Sequence, residues 1–248
     1  MEKIIGFSLL NGDCLAHSLK PYLSSDQYLV FRECFIEHNA IPYNPETFWE
    51  SRMHFMVDRY QITPTEYKEK TILEFEKIQK ISPEEPVYLW FEFDLFCQVN
   101  FWFLVHDLTS RGFKNLFWVQ PTDLSNWTGF GESSSFDLYH AWKNAVPLTT
   151  EWIQTSSSLW TFYQNQDWIQ FEKTCTSHPT WPKLTEIGMA QMERLLVPIG
   201  KPHQILQSIR SSGITDFPTL FQQFQIQAGQ YGFGDTQVLH ILQELDKK

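Results

Sequence analysis

What this chain lacks narrows its function before anything present is considered. Its 248 residues hold only four cysteines, Cys14, Cys34, Cys97 and Cys175, and no CxxC pair. A disulfide framework needs a smaller and denser chain, so free thiols in a reducing compartment are expected. The eight histidines show neither HxxxH nor HExxH spacing, which removes the familiar zinc patterns. No GxGxxG follows a strand, and no GxxxxGK with a following Ser or Thr occurs. Neither a conventional dinucleotide site nor a P-loop is therefore supported. There is no Lys/Arg run, and the formal charge is -10. An acidic chain repels phosphate backbones and anionic lipid, which argues against nucleic acid and membrane surfaces as partners. No segment approaches the roughly 20 apolar residues of a membrane span. The longest candidate, 95–105, is interrupted by Gln98 and Asn100. The opening MEKIIGFSLLNGD has too short an apolar run for a signal peptide. These absences together predict a cytoplasmic protein.

What is abundant is aromatic. Phe, Trp and Tyr make up 16% of the chain, so much of the core must be ring packing. The densest stretch is 87–104, VYLWFEFDLFCQVNFWFL, an apolar run that turns acidic and then resumes. It predicts a buried strand ending at Phe91 or Glu92, then a helix capped by Asp94. Upstream, 4–10 reads as a strand, Asn11-Gly12-Asp13 as a turn, 14–22 as a short helix and 28–31 as a second strand. Pro42, Pro45 and Glu46 predict a helix through about Tyr60, and Thr63-Pro64-Thr65-Glu66 opens another to about Lys80. A fourth strand spans 116–120. This order predicts an α/β fold, a small parallel sheet of about four strands flanked by helices. Right-handed crossovers send the loops after all four strands to one edge. A spatial order 2-1-3-4 puts the switch point between the first and third strands. A loop rich in Gly and Ser, 126–135, marks the expected junction between an α/β domain, 1–124, and an all-helical domain, 125–248. Helices are expected at 136–144, 149–164, 168–175, 185–196 and 203–210, then one bearing Phe217, Leu220, Phe221 and Phe224 at helical spacing. Asp235 is expected to cap a last helix. The 95–105 helix, apolar on all sides, belongs between the sheet and the helical part.

With that order, Asn11, Gly12, Asp13, Glu92 and Asp94 line one crevice, and Arg32 and Glu33 sit beside it. Asp13, Glu33, Glu92 and Asp94 are the candidate catalytic carboxylates. Such a cluster suits a hard divalent cation such as Mg²⁺, or acid–base work in which like charges push one pKa up. Arg32 and Arg52 are placed to clamp a phosphate or carboxylate. Each residue also has a plainer reading. Asp13 and Asp94 are ordinary N-cap residues, and Glu92 can pair internally with Arg32 or Arg52. Gln98 shares a helix face with Asp94 and either orients a ligand or bonds nearby backbone as a buried amide. Cys14 opens a helix, but Asp13 opposes thiolate formation there, so packing is the reading for all four thiols. The glycines of WTGFGES and YGFGD read as turn geometry. The segment 219–230 carries no Arg or Lys, which counts against a DNA-reading helix.

Four pieces carry a resemblance: LLNGDCLA, FREC, LWFEFDLFCQVNFWFL and YGFGDTQV. Together they resemble an uncharacterised bacterial family of domain-of-unknown-function proteins, with a strand–NGD–helix opening, a central WFExDLFCQ-type segment and a C-terminal GD-containing cap. The chain departs from that pattern at IEHNAIP, where the family has a small Gly-Pro turn. The resemblance implies architecture and emphasis, on Asn11, Gly12, Asp13, Arg32, Glu33, Glu92, Asp94, Gln98, Gly234 and Asp235, and implies no activity. Two functions remain open at this point. One is a small-molecule or nucleotide-type site, with carboxylate-assisted hydrolysis or group transfer. The other is a non-enzymatic interaction or regulatory protein with an exposed apolar patch for a protein partner.

Overall fold

The computed structural model describes residues 3–37, 47–123, 126–131 and 133–247. The helix opening expected at Pro42, Pro45 and Glu46 lies outside the described residues. The N-terminal region is α/β. Its strands are β1 (Phe7–Asn11), β2 (Tyr28–Phe31), β3 (Val87–Trp90) and β4 (Leu116–Val119), all parallel to their neighbours. The order β2-β1-β3-β4 is the one expected, so the reversal falls between β1 and β3. The sheet is nonetheless mixed. A two-residue strand, β5 (Val146–Pro147), pairs antiparallel with β4. It comes from a part of the chain expected to be wholly helical. Two residues are too few for a periodicity signal, and Pro147 is tolerated because the strand is at the edge.

Alternation sends the two faces of the sheet to different helices. Leu10, Val30, Trp90 and Val119 face α1 (Asp13–Leu19) and α6 (Ser135–Lys143). Leu9, Leu29, Leu89 and Trp118 face α5 (Leu95–Ser110) and belong to the main core. α2 (Phe48–Tyr60) adds Phe48 and Met56 to that core. The run expected as one helix to Lys80 is divided. α3 (Pro64–Tyr67) has the Thr63/Glu66 capping box, a π turn covers Lys68–Ile72, α4 is Leu73–Phe75, and a 3-10 turn closes Glu76–Lys80.

α5 is the structural axis. It is buried from Leu95 to Leu108 save for Phe96 and His106, with the sheet on one side and α7 (Thr150–Gln164) on the other. Its polar residues are each satisfied. Asn100 accepts from the Phe35 amide at 3.2 Å and donates to the Glu33 carbonyl at 2.8 Å. Asp107 takes Arg111 at 2.6 Å. The remaining helices are α8 (Trp168–Ser177), α9 (Leu184–Arg194), α10 (Lys201–Ser211), α11 (Phe217–Ala228) and α12 (Asp235–Asp246). Their buried residues join the same core as the sheet's α5 face. Asp235 does not cap α12; Gly234 holds that position, and its amide donates to Gln237 Oε1 at 2.9 Å. No helix among the described residues is long and apolar enough to cross a membrane.

Candidate ligand site

The turn from β3 into α5 carries the two acids that matter most. Asp94 caps α5 as expected, its Oδ1 accepting from the Cys97 amide at 2.9 Å. Glu92 lies two residues earlier. Its Oε1 accepts from the Phe130 amide at 2.5 Å, and the Cys97 thiol donates to Oε2 at 3.5 Å. Donor atoms of Glu92, Asp94 and Cys97 lie within 4.8 Å of one another, a cluster geometrically compatible with a divalent cation. Asn11, from the end of β1, reaches Cys97 Sγ at 2.9 Å.

Burial raises both acids. Glu92 is pushed from 4.5 up to about 7, first by desolvation and then by the charge of Asp94, against which the Phe130 amide acts. Asp94 is raised by desolvation, and the Cys97 amide opposes it. The Cys97 thiol is held far above its ordinary value by burial and by both acids, so it stays a thiol. Cys34 and Cys175 are both pushed up to about 12 by burial.

A raised carboxyl is a cost to the folded protein above its pKa. Between pH 4.5 and 7 the folded state holds the Glu92 proton more tightly than the unfolded chain, so stability from this group falls as pH rises. Glu92→Gln keeps the acceptor for Phe130 and removes the ionisation. Its stability relative to the parent should therefore rise with pH, by roughly 2 kcal/mol between about pH 5 and 8, as read by urea unfolding. A pH-independent difference would mean that Glu92 is an ordinary solvated acid.

Two glycine loops enclose these acids. Gly129, at φ +60, sits so close to Glu92 that a Cβ there would land on the carboxyl carbon. Gly232, at φ +66, has the same relation to Asp94 Oδ1. Both begin a Gly-Phe-Gly triplet, at 129–131 and 232–234. Trp127 of the first loop packs its Cβ where a side chain at Gly229 would go, which ties the two loops together. Between them opens a cavity of about 870 Å³ with Glu92 and Asp94 in its wall. Trp127, Phe224 and Phe233 are its aromatic lining, and Gln222 and Gln225 of α11 are polar lining. The glutamines expected on the wet side of α11 thus include two that face the cavity.

The other predicted residues are not in this wall. Asp13 and Arg32 form a bidentate pair on the surface, at 2.7 and 2.8 Å, and Arg32 also donates to the Lys70 carbonyl. Asp13 is the first residue of α1 and makes no cap bond; Gly12 is at the cap position. Glu33 and Arg52 are buried together, with Arg52 nitrogens at 2.6 and 3.1 Å from Glu33 Oε2. Tyr67 donates to the other Glu33 oxygen. Gln98 is the buried amide of the plainer reading, donating to the Glu92 carbonyl at 2.6 Å and accepting from Trp181 at 3.2 Å. The single expected mouth is therefore three arrangements. The strand ends do gather at one edge, but the arginines were already engaged by the acids nearest them in the fold.

Sequence reasoning missed Gly129, Gly232, Trp127 and Phe233. The repeated Gly-Phe-Gly triplet was the available signal, each copy followed by an acid and preceded within two residues by an aromatic. Compared with protein-family models, with curated proteins and with solved structures, the chain has no significant match.

Proposed function

We propose that this protein binds a small molecule in the cavity at the β3–α5 turn and that Glu92 and Asp94 act on it as an acid–base pair. The observation that carries the proposal is the placement of two neighbouring carboxyls, without a neutralising cation, in the wall of an enclosed space of ligand size. Groups that share one proton between two carboxyls can both donate and accept it, which suits hydrolysis or group transfer. The same cluster accommodates a divalent cation in place of the proton. The motifs behind the family resemblance support this reading, because WFEFD and YGFGD meet at this cavity and NGD supplies Asn11 behind it. We extend the proposal to that family: these motifs mark its ligand site.

A thermal-shift screen of the whole protein with amines, sugars, nucleotides and divalent cations tests it. At least one class should raise the melting temperature, with a stabilisation of about 2.7 kcal/mol at a hundredfold excess over Kd. The rise should vanish in Glu92→Gln and Asp94→Asn, each measured against its own unliganded melting temperature. Turnover of a responding substrate should fall by about 10²- to 10⁴-fold in Glu92→Gln. A response that both variants retain places the ligand elsewhere.

The interaction-protein reading has one feature in its favour. Leu195, Leu196 and Val197 form a contiguous exposed apolar turn, with Val197 91% exposed. A protein whose only response is to a macromolecule, unaffected by Glu92 or Asp94, would favour it.

A further inference from the structure

Three acids are buried side chains in this fold: Glu33, Asp94 and Asp107. Glu33 has Arg52 and Asp107 has Arg111. Among the described residues Asp94 has no Lys, Arg or His within ion-pair distance, and neither has its neighbour Glu92. Folded proteins rarely bury a carboxyl without a counter-charge, because the desolvation is not returned. Here the acids face an opening rather than packed side chains, so the missing charge has a place to come from.

The lining defines that charge. No Lys, Arg or His is among the described residues of the cavity wall. An anionic ligand would meet two carboxyls and nothing to neutralise it. A bare metal ion satisfies the carboxyls but leaves some 870 Å³ and its rings unused. Phe224 and Phe233 stack nearly parallel, 6.4 Å apart, and both reach the cavity wall. Trp127 already carries the Lys183 ammonium on its ring at 3.9 Å, so the two phenylalanines are the rings left for a ligand. Aromatic faces attract cations and also cover an apolar body. The carboxyls retain lone pairs beyond those taken by the Cys97 and Phe130 amides, which favours a cation that has N–H donors.

We propose that the ligand of this cavity is a small organic ammonium ion, an amine on an apolar body, with its nitrogen at Glu92 and Asp94 and its body along Phe224 and Phe233. This rests on the reading of the cavity as a small-molecule site and specifies what that site takes. The fold supplies one half of an ion pair and the ligand the other.

The test is calorimetric titration of the whole protein with 2-phenylethylammonium and spermidine. The neutral and anionic counterparts are 2-phenylethanol and phenylacetate, and Mg²⁺ is titrated alone. At least one ammonium probe should bind below about 10 mM, and more tightly than the other three. Asp94→Asn retains the cap, since Asn caps as well as Asp, and removes the charge. It should weaken ammonium binding about tenfold or more with its unfolding midpoint little changed. Phe233→Leu should weaken it by about two- to fivefold. If phenylethanol or phenylacetate binds as well as the amine, or Mg²⁺ alone binds, the ammonium assignment falls. The small-molecule reading survives that result if Asp94→Asn still abolishes the binding observed. If no ammonium probe binds, the assignment also falls. If, in addition, no class in the thermal screen responds through Glu92 or Asp94, the site itself falls with it.

Discussion

Arg52→Met should destabilise the protein by about 3–5 kcal/mol, enough to remove much of the stability of an ordinary domain. Arg52 is 1% exposed, and its guanidinium lies about 5 Å from the centres of the Phe35 and Phe55 rings. It holds Glu33 through two nitrogens and donates to the Glu37 and Cys34 carbonyls at 2.9 and 3.1 Å. These contacts join α2 to the segment that leaves β2. Methionine fills most of the space, so lost volume is a minor part of the effect. The major part is the Glu33 carboxylate left in the core without its cation. The double variant Arg52→Met/Glu33→Gln removes that charge and keeps an acceptor for the Cys34 amide and Tyr67. It should recover much of the loss in a denaturant titration. If the double variant is as unstable as the single one, packing and not charge governs this pair.

Gly232→Ala should cost about 2–5 kcal/mol and abolish any ligand response at the cavity. The left-handed backbone at φ +66 accounts for about 1–2 kcal/mol of this. The rest comes from a methyl group driven into Asp94, with Phe96 Cβ 3.0 Å away on the other side. Gly12→Ala separates the two contributions. Gly12 has φ +97 but nothing within 4 Å of its added Cβ, so only the backbone strain applies. Asp94→Ser offers a second check, because serine still caps α5 on a shorter side chain. In that background Gly232→Ala should lose less stability than in the parent. Equal losses for Gly12→Ala and Gly232→Ala would show that the Gly232 loop yields without disturbing Asp94.

Much of the site's scaffold was legible in the residues themselves. The 87–104 run specified a strand, an acidic turn and a helix capped by Asp94, because each of those rests on local rules: an apolar stretch, a capping side chain, a helix apolar on all faces. The strand order followed from crossover handedness and chain order. What local rules do not contain is which charge meets which. Arg32 and Arg52 are 20 residues apart and were equally available on paper to Glu92 or to a ligand. Only packing brings α2 against the end of β2 and gives Arg52 to Glu33.

By itself, then, the sequence determined that an acidic turn would stand at the carboxyl edge of a mostly parallel sheet, since strand, cap and buried helix are encoded within some eighteen neighbouring residues. The tertiary structure alone decided that this turn would be roofed by two glycine loops a hundred residues apart, and that its acids would lack a cation. The reason is one of distance along the chain. Periodicity and capping act over a few residues, whereas a Cβ-sized gap at Gly129 or Gly232 has meaning only once Glu92 and Asp94 occupy it.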